Sequence, residues 1–392
     1  MLIRLAPILG ITFIDILGFS ILIPLLPFFV KHFGLGDFAV GLLFATFAMT
    51  QFIGSPIWGN ISDRIGRKKV LIISQIGAAI GWAMLAWAPS IGWVFVARLI
   101  EGISGGNISV TKAYVADLVE PEKRGRAFSY IGATFSGGLI FGPAAGGFLY
   151  DQYGFSAPFL AAAALQIVTL VATILFLPES LSKDEERKHA TLREIVQSLK
   201  DPRIAPVLVQ DLVYNMGLYG WFSVFALILA AQLHFGAGDT SRLFSVFGVV
   251  SVLLQVFVVG RLTDTLGNRL TSNIGFASLI LSFAWAPFMH DLYGAALSVL
   301  TFSFGMSHIN ATIPALLTEN APGNQRGTIL GSAASLESSS GIFMPPISTS
   351  VLGAVGTAGP AAISAGFTAV ALALGIRAAL ARTPRVDATP AE

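Results

Sequence analysis

Cysteine is missing from all 392 residues of the chain. That absence excludes a disulfide framework, a thiolate-held metal and a redox-active thiol. Charge is scarce as well. Only 12% of residues are Asp, Glu, Lys or Arg, against about 25% in soluble globular chains. A water-soluble enzyme of this length needs far more polar surface. The net charge of +2 supplies no basic footprint for nucleic acid. There is no G-x4-G-K-[ST] phosphate loop, no H-E-x-x-H, no Cys/His ligand set and no glycine-flanked nucleophilic serine. The expectation is therefore a protein that is not an enzyme and that needs no cofactor and no resident metal.

What the chain has instead is long oily runs: 54% of its residues are hydrophobic. A bilayer core needs about 20 apolar residues in helical form. Twelve runs meet that need: 6–30, 39–60, 70–88, 93–116, 127–149, 157–177, 204–230, 240–262, 270–289, 292–317, 327–350 and 359–381. They are continuous rather than alternating, which predicts helices and not a barrel. The first run is too long for the core of a signal peptide and lacks a small-residue cleavage site, so it reads as a retained span.

The basic residues set the expected orientation. With the N-terminus inside, 20 of the 24 Lys and Arg residues fall on cytoplasmic segments. Lys31 and Arg242 fall outside, and Arg98 and Lys112 lie within a span. The positive-inside rule then places both termini in the cytoplasm. The three N-x-[ST] sites, at Asn60, Asn107 and Asn310, fall on cytoplasmic or intramembrane positions where no glycan is added, which suits a bacterial inner membrane.

A repeat divides the chain. The stretch "GNISDRIGRKK" from Gly59 returns in worn form as "GRLTDTLGNRL" from Gly260, and Pro121 and Pro322 share the same offset of 201 residues. Two matches at one offset predict an all-α membrane protein of twelve transmembrane helices in two pseudo-symmetric six-helix bundles. The boundaries read as 1–177 for the first bundle, 178–203 for a polar cytoplasmic linker with a short surface helix near 191–200, and 204–392 for the second bundle with its tail.

Several motifs carry a resemblance. The loop after span two fits G-x3-D-[RK]-x-G-[RK]-[RK] through Gly59, Asp63, Arg64, Gly66, Arg67 and Lys68. Span one, "FIDILGFSILIPLLPFF", places Asp15 among Gly18, Pro24 and Pro27, and span four holds "ARLIEGISGG" with Arg98 and Gly102. Span five, "GLIFGPAAGG", fits G-x3-G-P-x2-G-G through Gly138, Gly142, Pro143, Gly146 and Gly147. Over nearly its whole length the chain resembles the major facilitator superfamily, and within it the twelve-span drug:proton antiporters of the tetracycline-exporter type. It departs from them at Ser129, where a motif glycine is usual, at Glu101, where a small residue is usual, and at Glu337, where an uncharged one is usual. The resemblance implies proton-coupled efflux of hydrophobic or cationic small molecules by alternating access. It also implies a monomer in the bilayer whose partners are its small-molecule substrate and protons. A proton symporter or facilitator for sugars, organic acids or lipids is the alternative, and a ligand-binding receptor a more distant one.

Ionisable groups near mid-membrane cost at least about 2.5–3.5 kcal/mol and mark function by default. Asp15 and Glu337 lie about 14–15 Å into their spans at 1.5 Å per residue. A carboxyl that alternates between an apolar surround and a neighbouring cation changes its proton affinity, which is a way to load and release protons. Arg98 and Glu101 share a helix face and can pair. The resemblance places spans one and four side by side, so Asp15, Arg98, Glu101 and Glu337 are the proton-coupling candidates. Lys112, near the cytoplasmic end, reads as a snorkelling residue. Asp211, Tyr214, Asn215, Gln255, His308 and Asn310 are the substrate-binding candidates, since they are polar groups inside second-half spans. Tyr219, Trp221 and Phe222 are aromatics that can line an apolar pocket.

The family reads the loop residues Gly59, Asp63, Arg64, Gly66 and Arg67 as a conformational latch. Here Asp63 would face the start of span eleven near Gly327, and Arg64 or Arg67 would pair with Asp117 or Glu120. Pro143 bends span five and its glycines permit close packing. The resemblance places that span between the halves and makes it an antiporter helix.

Overall fold

The computed structural model describes residues 2–105, 108–119, 124–180, 201–320 and 326–380. The expected surface helix at 191–200, Glu120, Pro121, Pro322 and the residues after 380 lie outside that set. The described residues are almost wholly helical. In chain order they form α1 (Leu2–His32), α2 (Asp37–Ile65), α3 (Arg67–Ala86), α4 (Ile91–Gly105), α5 (Ile108–Leu118), α6 (Arg124–Tyr153) and α7 (Ala157–Phe176). After the linker come α8 (Ala205–Gln232), α9 (Ala237–Leu254), α10 (Gly260–Trp285), α11 (Leu292–Asn320), α12 (Arg326–Val355) and α13 (Ala358–Leu380). These helices overlie the apolar runs, with α4 and α5 in the fourth and the eighth run extending from α9 into the start of α10.

Eight helical segments among the described residues are long and apolar enough to cross a bilayer. The longest, Ala237–Phe288, has 52 residues, about twice what one crossing needs at 1.5 Å per residue. A π-helical turn at Gln255–Val259 joins α9 to α10. The reversal comes at Gly267, whose φ of 76° breaks the helix. Gly66, 201 residues earlier, ends α2 with φ 106°. Both angles lie in the left-handed region that glycine enters without a side-chain clash. The two copies of the loop motif therefore share a backbone device as well as letters.

The surface is inverted relative to a soluble protein. Ile73, Ile76 and Ile80 on α3 and Ile167, Val171 and Ile174 on α7 are exposed, while Arg67, Gln75, Arg98 and Gln166 are buried. Helical spacing of three to four residues turns the apolar stripes outward to lipid.

In the first half α1 packs on α6 and α7, and α3 on α4 and α7. In the second, α10 packs on α11 and α13, and α8 on α12 and α13. The two largest contacts between the halves are α2 on α12 and α6 on α9, with smaller ones from α1 to α8 and α9 and from α2 to α8. The 201-residue offset exchanges α2 with α9 and α6 with α12, so each of the two largest is the image of the other. At the Asp37 end of α2, a Cβ on Gly41 would stand 2.6 Å from the Pro345 carbonyl of α12. At the Tyr153 end of α6, Arg242 Nη2 reaches Asp151 Oδ2 at 3.0 Å. The halves thus close at the end opposite the Asp63–Lys69 loop.

Candidate functional site

α4 and α5, the described parts of span four, both bond to α2. Trp58 Nε1 donates to the Ile103 carbonyl at 2.7 Å, Gln51 Nε2 to the Gly105 carbonyl at 3.3 Å, and Ser109 Oγ to the Ser55 carbonyl at 3.0 Å. They fix α4 and α5 against α2 and set the direction of the side chains on both pieces.

On α4, Arg98 and Glu101 form an ion pair in which Nη1 donates to Oε2. Both side chains are almost fully buried, at 1% and 4% exposed. The Arg98 guanidinium lies over the Phe47 ring at 4.3 Å, a cation–π arrangement that compensates part of its lost hydration. Phe47 stacks in turn on Phe19 of α1 at 5.2 Å. Gly81 of α3 makes room for the Glu101 stem. Arg98 Nε and Glu101 Oε1 have no hydrogen-bond partner among the described residues. The pair is sealed inside the first half in this conformation.

Asp15 on α1 is half-buried. Its Oδ1 accepts a bond from Gln166 Nε2 of α7 at 2.9 Å. The structure thus joins Arg98 to Glu101 as expected from their spacing, and adds for Asp15 a partner that the sequence reading missed. The signal was available: Gln166 is a lone amide in the oily stretch "APFLAAAALQIVTLV".

The second half holds the other polar cluster. Glu337 on α12 is half-buried, and its Oε1 accepts the Tyr219 hydroxyl of α8 at 3.1 Å. Asp211, about two turns from Tyr219 on α8, accepts Asn215 Nδ2 at 3.1 Å and lies within electrostatic reach of Glu337. The Tyr214 hydroxyl donates to Asn310 Oδ1 of α11 at 3.4 Å, and Asn310 is exposed. Asp211, Tyr214, Asn215, Asn310 and Glu337 are thus brought together, with Tyr219 added. Gln255 is exposed on the π-helical turn. His308 is buried, with Nδ1 2.6 Å from the Phe304 carbonyl and its Cβ near Gly275 of α10. Neither Gln255 nor His308 is bonded to the cluster among the described residues. Trp221 and Phe222 line an aromatic cleft with Phe225, Phe244, Phe247 and Phe302.

The loop residues form a network inside the first half. Asp63 Oδ1 meets Arg67 Nη2 at 2.5 Å, and Arg67 Nε meets Asp117 Oδ2 at 3.3 Å. Ser180 Oγ donates to the same Asp117 oxygen at 3.0 Å. Gly59 is buried, and Arg64 is exposed. The side chains at 326–328, where Asp63 was expected to reach α12, lie outside the described residues. Glu179 was missed by sequence reasoning. Its carboxylate accepts the Arg67 and Lys68 backbone N–H groups at 2.8 and 3.2 Å, an anion at the positive end of α3. On α6, Gly138, Gly142 and Gly146 lie against α1, and Gly147 lies against Ser241 of α9. Pro143 lies inside this helix, between Gly142 and Gly146.

Helices with apolar outer faces, a two-fold repeated bundle and ionisable groups in the interior define a multi-pass membrane transporter. The model of the Major Facilitator Superfamily matches residues 8–345 and 216–391, and the chain belongs to that family. It is 30% identical over 356 residues to the class C tetracycline resistance protein of Escherichia coli, covering 88% of this chain and 89% of that one. It is 29% identical over 350 residues to multidrug resistance protein 2 of Bacillus subtilis (strain 168), covering 87% and 86%. Among solved structures, the nucleoside transporter NupG superposes with a TM-score of 0.77 at 14% identity over 98% of this chain and 100% of that chain. The human organic anion transporter MFSD10 does so with 0.74 at 21% identity over 95% and 98%.

Proposed function

We propose that the protein exports hydrophobic or cationic small molecules in exchange for protons, by rocking two six-helix bundles about a central cavity. The observation that carries this reading is the pair of half-buried carboxylates, Glu337 and Asp211, held by Tyr219 and Asn215 inside apolar spans. Such groups can exchange a proton for a cargo cation when the cavity changes sides. The similarity to relatives named for multidrug and tetracycline resistance supports the direction of transport. Asp15 and the Arg98–Glu101 pair act as the first-half proton relay in this reading, with the loop network around Arg67 as the latch and α6 as the antiporter helix. The bundles span 1–177 and 204–392, joined by the linker 178–203. The chain works as a monomer in the inner membrane with both termini in the cytoplasm, and the Lys and Arg distribution supports that orientation.

The test uses proteoliposomes with an imposed pH gradient. The wild type is expected to move substrate against its gradient, and Asp15→Asn is expected to abolish the coupling while leaving passive counterflow. Gradient-driven transport at the wild-type rate in the variant would remove Asp15 from the relay. Acceleration of uptake instead of efflux by an inward pH gradient would overturn the exporter reading.

A further inference from the structure

Tyr219 of α8 makes two contacts of different kinds. Its hydroxyl donates to Glu337 Oε1 of α12 at 3.1 Å. Its ring packs on Gly341, about one turn further along α12, where a Cβ would stand 3.3 Å from Tyr219 Cε1. The same point lies 3.2 Å from the Cβ of Ala48 on α2. Ala48 belongs to the first half, and α2 packs on both α8 and α12. Gly341 is buried by these neighbours. One glycine thus joins the first half to the ring that holds the second-half carboxylate. Asp211 and Asn215 share the Tyr219 face of α8 at four-residue intervals, and Asn215 Nδ2 donates to Asp211 Oδ1 at 3.1 Å. Tyr214 turns instead to Asn310 of α11. The other helices packed on α12 carry their charged residues near their ends: Asp37, Asp63 and Arg64 on α2, Glu319 on α11 and Arg377 on α13. His308 of α11 is buried, with Nδ1 against the Phe304 carbonyl.

We propose that Tyr219 is a positioning residue that couples the proton on Glu337 to the seam between α2 and α12, with Gly341 and Ala48 as the seat of its ring. The inference rests on the exporter reading above and deepens it. The helices α8 and α12 belong to one bundle and travel together when the bundles rock, whereas Ala48 travels with the other. With α2 closed on α12, Ala48 and Gly341 confine the ring. A tyrosine has only two side-chain torsions, so a confined ring fixes its hydroxyl on Glu337. When α2 withdraws, the ring gains room to leave Gly341 and Glu337 loses its donor. A hydroxyl donor interacts differently with a carboxylate and with a carboxylic acid. The bond therefore ties the proton on Glu337 to the position of α2, and by linkage the proton acts back on the seam.

The test reads the seam directly. Thr349 of α12 is buried against Gly41 of α2, and Thr349→Cys supplies a thiol that a maleimide reaches when α2 withdraws. Labelling rates at acid and at alkaline pH are each divided by the rate for denatured protein at the same pH, which removes the titration of the thiol itself. In this background the two normalised rates are expected to differ by about fivefold, the weight of one hydrogen bond. In Tyr219→Phe, which keeps the ring and loses the hydroxyl, they are expected to converge. Ala48→Gly, which keeps the hydroxyl and loosens its seat, is expected to narrow the difference. Glu337→Gln is expected to abolish it, and adding Tyr219→Phe to that variant is expected to change nothing further, because the tyrosine acts through the carboxylate. A purely structural tyrosine would shift both rates and keep their ratio. That result, an additive effect in the double variant, or equal rates in the Thr349→Cys background would overturn the proposal. Absence of gradient-driven substrate movement in the proteoliposome test refutes the exporter reading instead, and the labelling ratio then still decides the role of Tyr219.

Discussion

Arg98 and Glu101 are two charges removed from water, and each depends on the other. Taking away one partner of such a buried pair costs about 3–5 kcal/mol, whereas replacing both with apolar residues of similar volume is often tolerated. Arg98→Ala is therefore expected to lower the thermal midpoint in detergent sharply. The double change Arg98→Met with Glu101→Leu is expected to recover most of that loss without recovering pH-driven transport. Recovery of both stability and coupling by the double variant would make the pair a static brace. The sequence made this pair legible, because a separation of three residues on a helix dictates contact. It did not reveal the Phe47 ring beneath Arg98 or the bond from Gln166 to Asp15, since those partners come from α2 and α7 and depend on how the helices are rotated.

At the scale of the helix, the two glycine reversals offer a controlled comparison. A non-glycine residue in a sparsely populated backbone region costs about 1–3 kcal/mol. At Gly267 nothing lies within 4 Å of an added Cβ, so Gly267→Ala is expected to cost that strain alone. At Gly66 the new Cβ would stand 2.3 Å from Glu179 Oε2 and push the carboxylate off the start of α3. Loss of that anion adds about 0.3–1 kcal/mol at a helix N-terminus. Thermal unfolding in detergent is expected to show Gly66→Ala as the more damaging of the two, and the reverse order would contradict the capping role of Glu179. The spans were readable because twenty oily residues admit one solution in lipid. The bonds from Trp58 and Gln51 to carbonyls of span four were not readable, since they depend on how α2 and α4 are rotated against each other.

Across the whole molecule, the halves are joined chiefly by α2 on α12 and α6 on α9, and their closed end carries the Asp151–Arg242 ion pair. Arg242 also meets Asp239 at 2.9 Å. Arg242 is largely exposed, so the pair contributes only about 0–1 kcal/mol. That is enough to shift a two-state equilibrium by up to about fivefold. Arg242→Glu sets like charges against Asp151 and Asp239 and is expected to open this end. The measurement is maleimide labelling of a cysteine introduced at Ser241, which is simple in a chain with no native cysteine. Labelling is expected to quicken up to about fivefold, and the exchange Asp151→Lys with Arg242→Glu is expected to slow it again. Unchanged labelling would mean that helix packing alone holds the end shut.

The chain alone determined the helices, the repeat, the family and the list of ionisable residues inside the membrane. The helices, the repeat and the ionisable residues follow from local composition and spacing, because lipid leaves the backbone almost no choice, and the family follows from motif resemblance. The tertiary structure decided which of those groups meet. It sealed Arg98 with Glu101, brought Tyr219 to Glu337 and Tyr214 to Asn310, and buried His308 against α10. These arrangements depend on the rotation and approach of helices far apart in sequence, and helix periodicity carries no information about either.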